Sequence, residues 1–218
     1  MKKIILSFLI AILILFNSCL GAQADITIRA DGSGKVALEY RVSQMLESIG
    51  RLDGNERWPA IPVGKADFER SMARIPGLKL KSFSSKDAPG SAGGRDLVTK
   101  VELEFSNAEA LTSFLDSSGS KASLTRNNGK NLLRLVLLEP SVNFRNEELN
   151  SLLKEVSAGY EISISLSAPK NANLTVSPLS VLTHNTVRIV NRGKKVSFTM
   201  NTGELLGLKD GLVLEMEW

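Results

Sequence analysis

His184 is the only histidine among the 218 residues. It lies in Leu182-Thr183-His184-Asn185, between Pro178 and a stretch with the alternation of a strand. One imidazole, one cysteine and scattered carboxylates do not make the three- or four-ligand set that zinc requires. A serine hydrolase needs a histidine base with an acid behind it. His184 could be that base, but no Gly-x-Ser-x-Gly elbow presents a nucleophile, so the residue reads as a histidine in a surface loop. Two carboxylate pairs, Glu102 with Glu104 and Glu215 with Glu217, are each spaced i, i+2 along an alternating stretch. That places both members on the solvent face of one strand, whereas a glycosidase pair faces across a cleft. Gly32-x-Gly34 and the glycines from Gly90 to Gly94 lack the strand-to-helix setting of a phosphate loop. The sequence therefore predicts a non-enzymatic chain with no catalytic residue, no cofactor and no metal.

What remains is apolar chemistry. Trp58 stands in a connector before Pro59 and Pro62 and is a candidate contact residue. Phe68, Met72, Phe114 and Phe198 read first as core, and they are also the residues that would line a ligand cavity under a curled sheet.

Cysteine has one place, Cys19, and the residues before it give that place meaning. Lys2 and Lys3 form a positive start, and Ile4 to Phe16 is an apolar run interrupted only by Ser7. The run is too short for a permanent span of about 20 residues and fits the h-region of an export signal. Two cuts compete. Leu15-Phe16-Asn17-Ser18-Cys19 reads as a lipobox, after which Cys19 would carry the lipid. Ala22-Gln23-Ala24 reads as an A-x-A site, which would free a cysteine-less chain beginning at Asp25. Residues 1–24 are thus the signal peptide and residues 25–218 the exported part, either lipid-anchored on a periplasmic or cell-surface face or secreted and soluble. No intramolecular disulfide is available in either case.

The chain carries +4 at pH 7, and without the leader's two lysines the balance is +2. The cations are scattered, without the clustering and interleaved aromatics of a nucleic-acid interface, so nucleic acid is not an expected partner. The exported part is long enough for one α+β domain with a real core, or for two subdomains.

Period-2 alternation marks most of the elements. Ile26 to Ala30 and Val36 to Val42 flank Asp31-Gly32-Ser33-Gly34 as a hairpin. A short helix is expected over Gln44 to Leu52, and an amphipathic one over Lys65 to Ile75, stopped by Pro76-Gly77. Leu78 to Ser84 is a strand, and Ser85 to Arg95, rich in Ser, Gly and Lys, reads as a loop. Val101 to Phe105 is the next strand. Ser106-x-x-Glu109 has capping-box spacing before a helix bearing Leu111, Phe114 and Leu115. Asn128-Gly129 is the strongest short hairpin signal. It is followed by Leu132 to Leu138, apolar enough to be covered on both faces. Asn146 to Ser157 is a helix, and Tyr160 to Ala168 a strand with Ile162, Ile164 and Leu166 inward. Val196, Phe198 and Met200 share a face, Asn201 to Leu208 is a helical turn, and Leu212 to Trp218 is a strand that pins the C-terminus. Together these predict a mostly antiparallel sheet, curled or split, with about three to four helices packed on one face.

The opening Asp25-Ile26-Thr27-Ile28-Arg29-Ala30-Asp31-Gly32-Ser33-Gly34, and the ending from Val196-Ser197-Phe198-Thr199-Met200-Asn201 to Leu212-Val213-Leu214-Glu215-Met216-Glu217-Trp218, are similar to exported lipoproteins of spirochaetes. More distantly the layout resembles the LppM-type bacterial lipoproteins. That resemblance implies a lipid-anchored α+β domain whose fold is like that of lipid-carrying domains, and it transfers no functional residue. The expected function is a membrane-anchored envelope lipoprotein that binds a lipid or other apolar ligand between sheet and helices. The alternative is a structural component of the cell envelope that works through protein contacts.

Overall fold

Strands make up 55 % of the described residues, about twice the usual share, so sheet geometry positions whatever site these residues hold. The structure, a computed structural model, describes residues 20–43, 64–90, 94–116, 121–139, 151, 154–155 and 157–218. The elements expected at 44–63, Trp58 among them, the signal segment through Cys19 and most of the helix expected at 146–157 lie outside these residues. Of that last helix, residues 151, 154, 155 and 157 are described and are helical.

The strands are β1 (Leu20–Ile28), β2 (Gly34–Ser43), β3 (Leu78–Pro89), β4 (Arg95–Phe105), β5 (Ala122–Asn127), β6 (Lys130–Leu138), β7 (Glu161–Ser167), β8 (Asn173–Ser177), β9 (Arg188–Arg192), β10 (Lys195–Asn201) and β11 (Leu212–Glu217). The helices whose bounds lie within the described residues are α1 (Lys65–Met72), α2 (Ala108–Leu115) and the single turn α3 (Thr202–Leu205), with a 3-10 helix at Leu179–Thr183.

The strands divide into two open sheets. The larger runs β3-β4-β2-β1-β7-β10-β9 and the smaller β5-β6-β11-β8. Every pairing is antiparallel except β1 with β7, which is parallel from Ala22↔Ile162 to Thr27↔Ser167. The mixed α+β class and the split are as the alternation predicts. The three to four helices on one face are not confirmed: among the described residues α1 and α2 have eight residues each and α3 four. The smaller sheet contributes much of the core instead, because a one-faced sheet can be covered by a second sheet as well as by helices. Ile26, Leu103, Ile162, Leu166, Val196 and Phe198 of the larger sheet belong to one buried cluster with Leu133, Leu174, Leu214 and Met216 of the smaller.

The other face of the larger sheet is a charged lattice. Lys100 meets Glu39 at 2.7 Å, Arg188 meets Glu161 at 2.8 Å, Lys81 meets Glu104 at 3.3 Å and Lys35 meets Glu102 at 3.9 Å. On the smaller sheet Glu217 pairs with Lys130 at 2.7 Å and Glu215 with Arg134 at 3.6 Å. Both carboxylate pairs singled out in the sequence thus sit on solvent faces opposite cations, and neither is a paired acid. Glu39 is held below the ordinary carboxylate value, first by its hydrogen bond from Lys100 and then by Arg41.

Three local expectations are corrected. The segment after Ser84 is not a loop: β3 runs on to Pro89 and pairs with β4 as far as Pro89↔Arg95. Its polar side chains are affordable because β3 is an edge strand, and proline is tolerated there. The cap of α2 is Asn107, whose Oδ1 accepts from Ala110 N–H at 2.8 Å. Ser106 is spent elsewhere, its backbone N–H donating to Gly77 O at 2.8 Å. β6 is buried on one face only: Leu133, Leu135 and Leu137 are inside while Leu132, Arg134 and Val136 are half-buried. β8 carries too short an alternation to stand out in the sequence, yet it pairs with β11 from Asn173↔Glu217 to Ser177↔Val213.

At the end of the larger sheet where β1 begins, Tyr160 crosses Gly21. A Cβ on Gly21 would stand 3.3 Å from the tyrosine ring. The phenol donates to Asp96 Oδ1 at 2.7 Å, tying the start of β7 to β4, and Asp96 is fully buried with Oδ2 unpartnered.

Candidate functional site

The opposite end of the molecule, where β1 turns into β2, is where the two sheets part. The β1–β2 turn is tight. Gly32 adopts φ +84°, and Arg29 and Ser33 close it backbone to backbone at 2.7 Å. The β5–β6 turn has φ +49° at Asn128 and +79° at Gly129, the signs a two-residue type I′ hairpin needs. Between these turns α2 starts after β4, and Trp218 ends the chain beside Asn131, with Asn131 N–H on Trp218 O at 2.9 Å and Trp218 N–H on Asn131 O at 3.0 Å.

These pieces enclose a cleft of about 310 Å³. Ile28, Phe105, Leu111 and Trp218 form its floor, all at least nine-tenths buried, and half-buried Leu124 forms a wall. Arg29, Asp31, Arg126 and Lys170 stand at the rim, all exposed. Ser33 donates to Asp31 Oδ1 through its hydroxyl at 2.7 Å and its N–H at 3.0 Å, while Arg29 donates to the Ser33 hydroxyl at 3.1 Å. Those Ser33 bonds, with Arg29 nearby, hold the Asp31 carboxyl below its ordinary value, so the acid stays charged and occupied within its own turn. Arg126 and Lys170 have no ion-pair partner among the described residues.

The apolar residues proposed from sequence are elsewhere. Phe68, Met72, Phe114 and Phe198 are all buried in the common core. Phe68 stacks near Tyr40 at 6.5 Å and Phe83 at 5.6 Å between ring centroids, so the space beneath α1 is filled by rings. None of the four lines the cleft. Trp58 and Cys19 lie outside the described residues. The lining residues come from separate strands, turns and α2 and share no sequence spacing. Trp218, ending an alternating strand, was the one signal pointing there.

His184 is half-exposed, as a loop histidine would be. Its Nδ1 stands 3.4 Å from Glu204 Oε2, which also accepts the Thr186 hydroxyl at 2.6 Å. The carboxylate thereby orients the ring, in a wide groove shared with Lys154, Asn201 and Gly207. Among the described residues no serine or cysteine lines that groove as a nucleophile. Among the described residues no three His, Cys, Asp or Glu side chains gather as a metal site, and no helix is long and apolar enough to cross a membrane.

Compared with known proteins, the chain matches no family model and no curated protein sequence.

Proposed function

We propose that the protein is a non-enzymatic, lipid-anchored envelope protein that holds a lipid or other apolar ligand in the cleft between its two sheets. The observation that carries this reading is the cleft's apolar floor of Ile28, Phe105, Leu111 and Trp218. A volume of about 310 Å³ is at the lower end of the range of small-molecule sites, roughly 300–1,000 Å³.

The anchor is supported by β1. A cut after Ala24 would remove Leu20 to Ala24, which pair with Val42 to Leu38 on one side, while Ala22 to Ala24 pair with Ile162 to Ile164 on the other. It would also take buried Ala22 and Ala24 out of the core. A cut before Cys19 leaves the strand whole and puts the lipid one residue from its start.

The test is native mass spectrometry of the protein purified from its own membrane, with solvent extraction of the material that comes with it. The expected result is an N-terminus at lipid-modified Cys19 and a stoichiometric apolar adduct. A free Asp25 terminus would overturn the anchor, and a bare protein mass would overturn the ligand.

A second reading, a structural role through protein contacts, draws on Leu179 and Leu182, which are 71 % and 45 % exposed side by side on the 3-10 helix. It expects Leu179→Ser with Leu182→Ser to abolish cross-links formed in cells from a photoreactive residue at Ser180, and unchanged cross-links would remove it.

A further inference from the structure

We infer that the cleft selects a single-chain amphiphile with an anionic head, a carboxylate or a phosphate. This rests on the proposed function, since it takes the cleft as the ligand site. The floor and the rim differ in kind. Inside, the side chains of Ile28, Phe105, Leu111 and Trp218 offer no ionic group, so a charged end inserted among them would lose its hydration without a partner. The charged end of a ligand must stay at the rim while its chain goes in.

The rim carries one sign in excess. Its charged groups are Arg29, Arg126, Lys170 and Asp31. Asp31 is the only acid among them, and its Oδ1 is already taken by both Ser33 donors. Arg29 is committed to the same turn through Ser33. Arg126, on β5 of the smaller sheet, and Lys170, on the loop that links β7 of the larger sheet to β8 of the smaller, both line the cleft and have no ion-pair partner among the described residues. Two uncommitted cations at one mouth set up a field that draws an anion to it. The size sets the other half of the specificity. A cleft of about 310 Å³ suits one alkyl chain rather than the paired chains of a phospholipid, being near the minimum for a small-molecule site.

The experiment is titration calorimetry of the full mature protein with four probes of equal chain length, dodecanoate, dodecyl phosphate, dodecanol and dodecyltrimethylammonium, and with sodium acetate as a head without a chain. Both anionic probes should bind about tenfold more tightly than the cationic one. That preference should shrink severalfold in 1 M salt, where the screening length is about 3 Å. Arg126→Gln with Lys170→Gln, two exposed changes, should erase it while leaving dodecanol binding unchanged. Dodecanoate and dodecyl phosphate differ only in head, so a preference between them identifies which anion the rim fits. Equal binding of the anionic, neutral and cationic chains would overturn the charge selection and leave the apolar site standing. Binding of acetate as tight as dodecanoate would overturn the amphiphile in favour of an anion site. No binding by any chain would overturn both this inference and the proposed function.

Discussion

Gly34 shows how a single side chain is excluded. It opens β2 opposite both Ile28 and Phe105, and a Cβ there would run into the Thr27 carbonyl and the Phe105 ring. A backbone oxygen in a paired strand cannot move aside. Gly34→Ala is therefore expected to lower stability by about 3 kcal/mol, at the upper end of the usual overpacking cost, and a urea melt would show it. Tyr160→Phe removes the one hydrogen bond to buried Asp96 and should cost about 1–3 kcal/mol. Adding Asp96→Leu should cost less than the two single changes together, because the orphaned carboxylate is then gone. Glu39 governs an acid dependence. Its pKa is lower folded than unfolded, so its stabilisation is present above about 4.5, the ordinary value, and is lost as pH falls through the folded value. Glu39→Gln should lower stability at neutral pH by less than about 1 kcal/mol, as for a partly exposed pair. The difference from the unchanged protein should shrink as pH falls below 4.5 and close once pH is below the folded value, where Glu39 is protonated in both states.

At the scale of elements, the alternating strands were legible because one buried face writes itself into the sequence every second residue. Val196, Phe198 and Met200 are buried and Ser197 and Thr199 half-exposed, as their spacing demands. What could not be read was an edge strand. β3 past Ser84 has no apolar stripe, since its backbone bonds to β4 hold it whatever its side chains are. The cleft was illegible for a related reason, its residues lying far apart in the chain and meeting only after the sheets form. β1 supplies the sharpest test at this scale. A chain begun at Asp25 should lose on the order of 5 kcal/mol against one begun at Leu20, a sum comparable with the whole stability of a small domain. Thermal unfolding of the two would measure it. Equal midpoints would remove the support that β1 gives to the cut at Cys19.

At the scale of the molecule, the described residues form two sheets with one core, and a shared core predicts a shared transition. β11 lies between β6 and β8 and brings Leu212, Leu214 and Met216 into the interior. Deleting Leu212 to Trp218 would separate the β5–β6 hairpin from β8 and remove Trp218 from the floor of the cleft. The shortened chain is expected to show no cooperative unfolding by either circular dichroism or tryptophan fluorescence, in the larger sheet as well as the smaller. Retention of a cooperative unit would mean that the larger sheet is stable alone.

The place of β11 also fixes an order in time. It comes after both its neighbours in the chain, and β1, which comes first, waits for β7 before its second side is paired. Until β11 has been made the smaller sheet has nothing to join β6 to β8, and until β7 has been made one side of β1 stays bare, so each sheet is assembled in an order other than the one in which its strands are written.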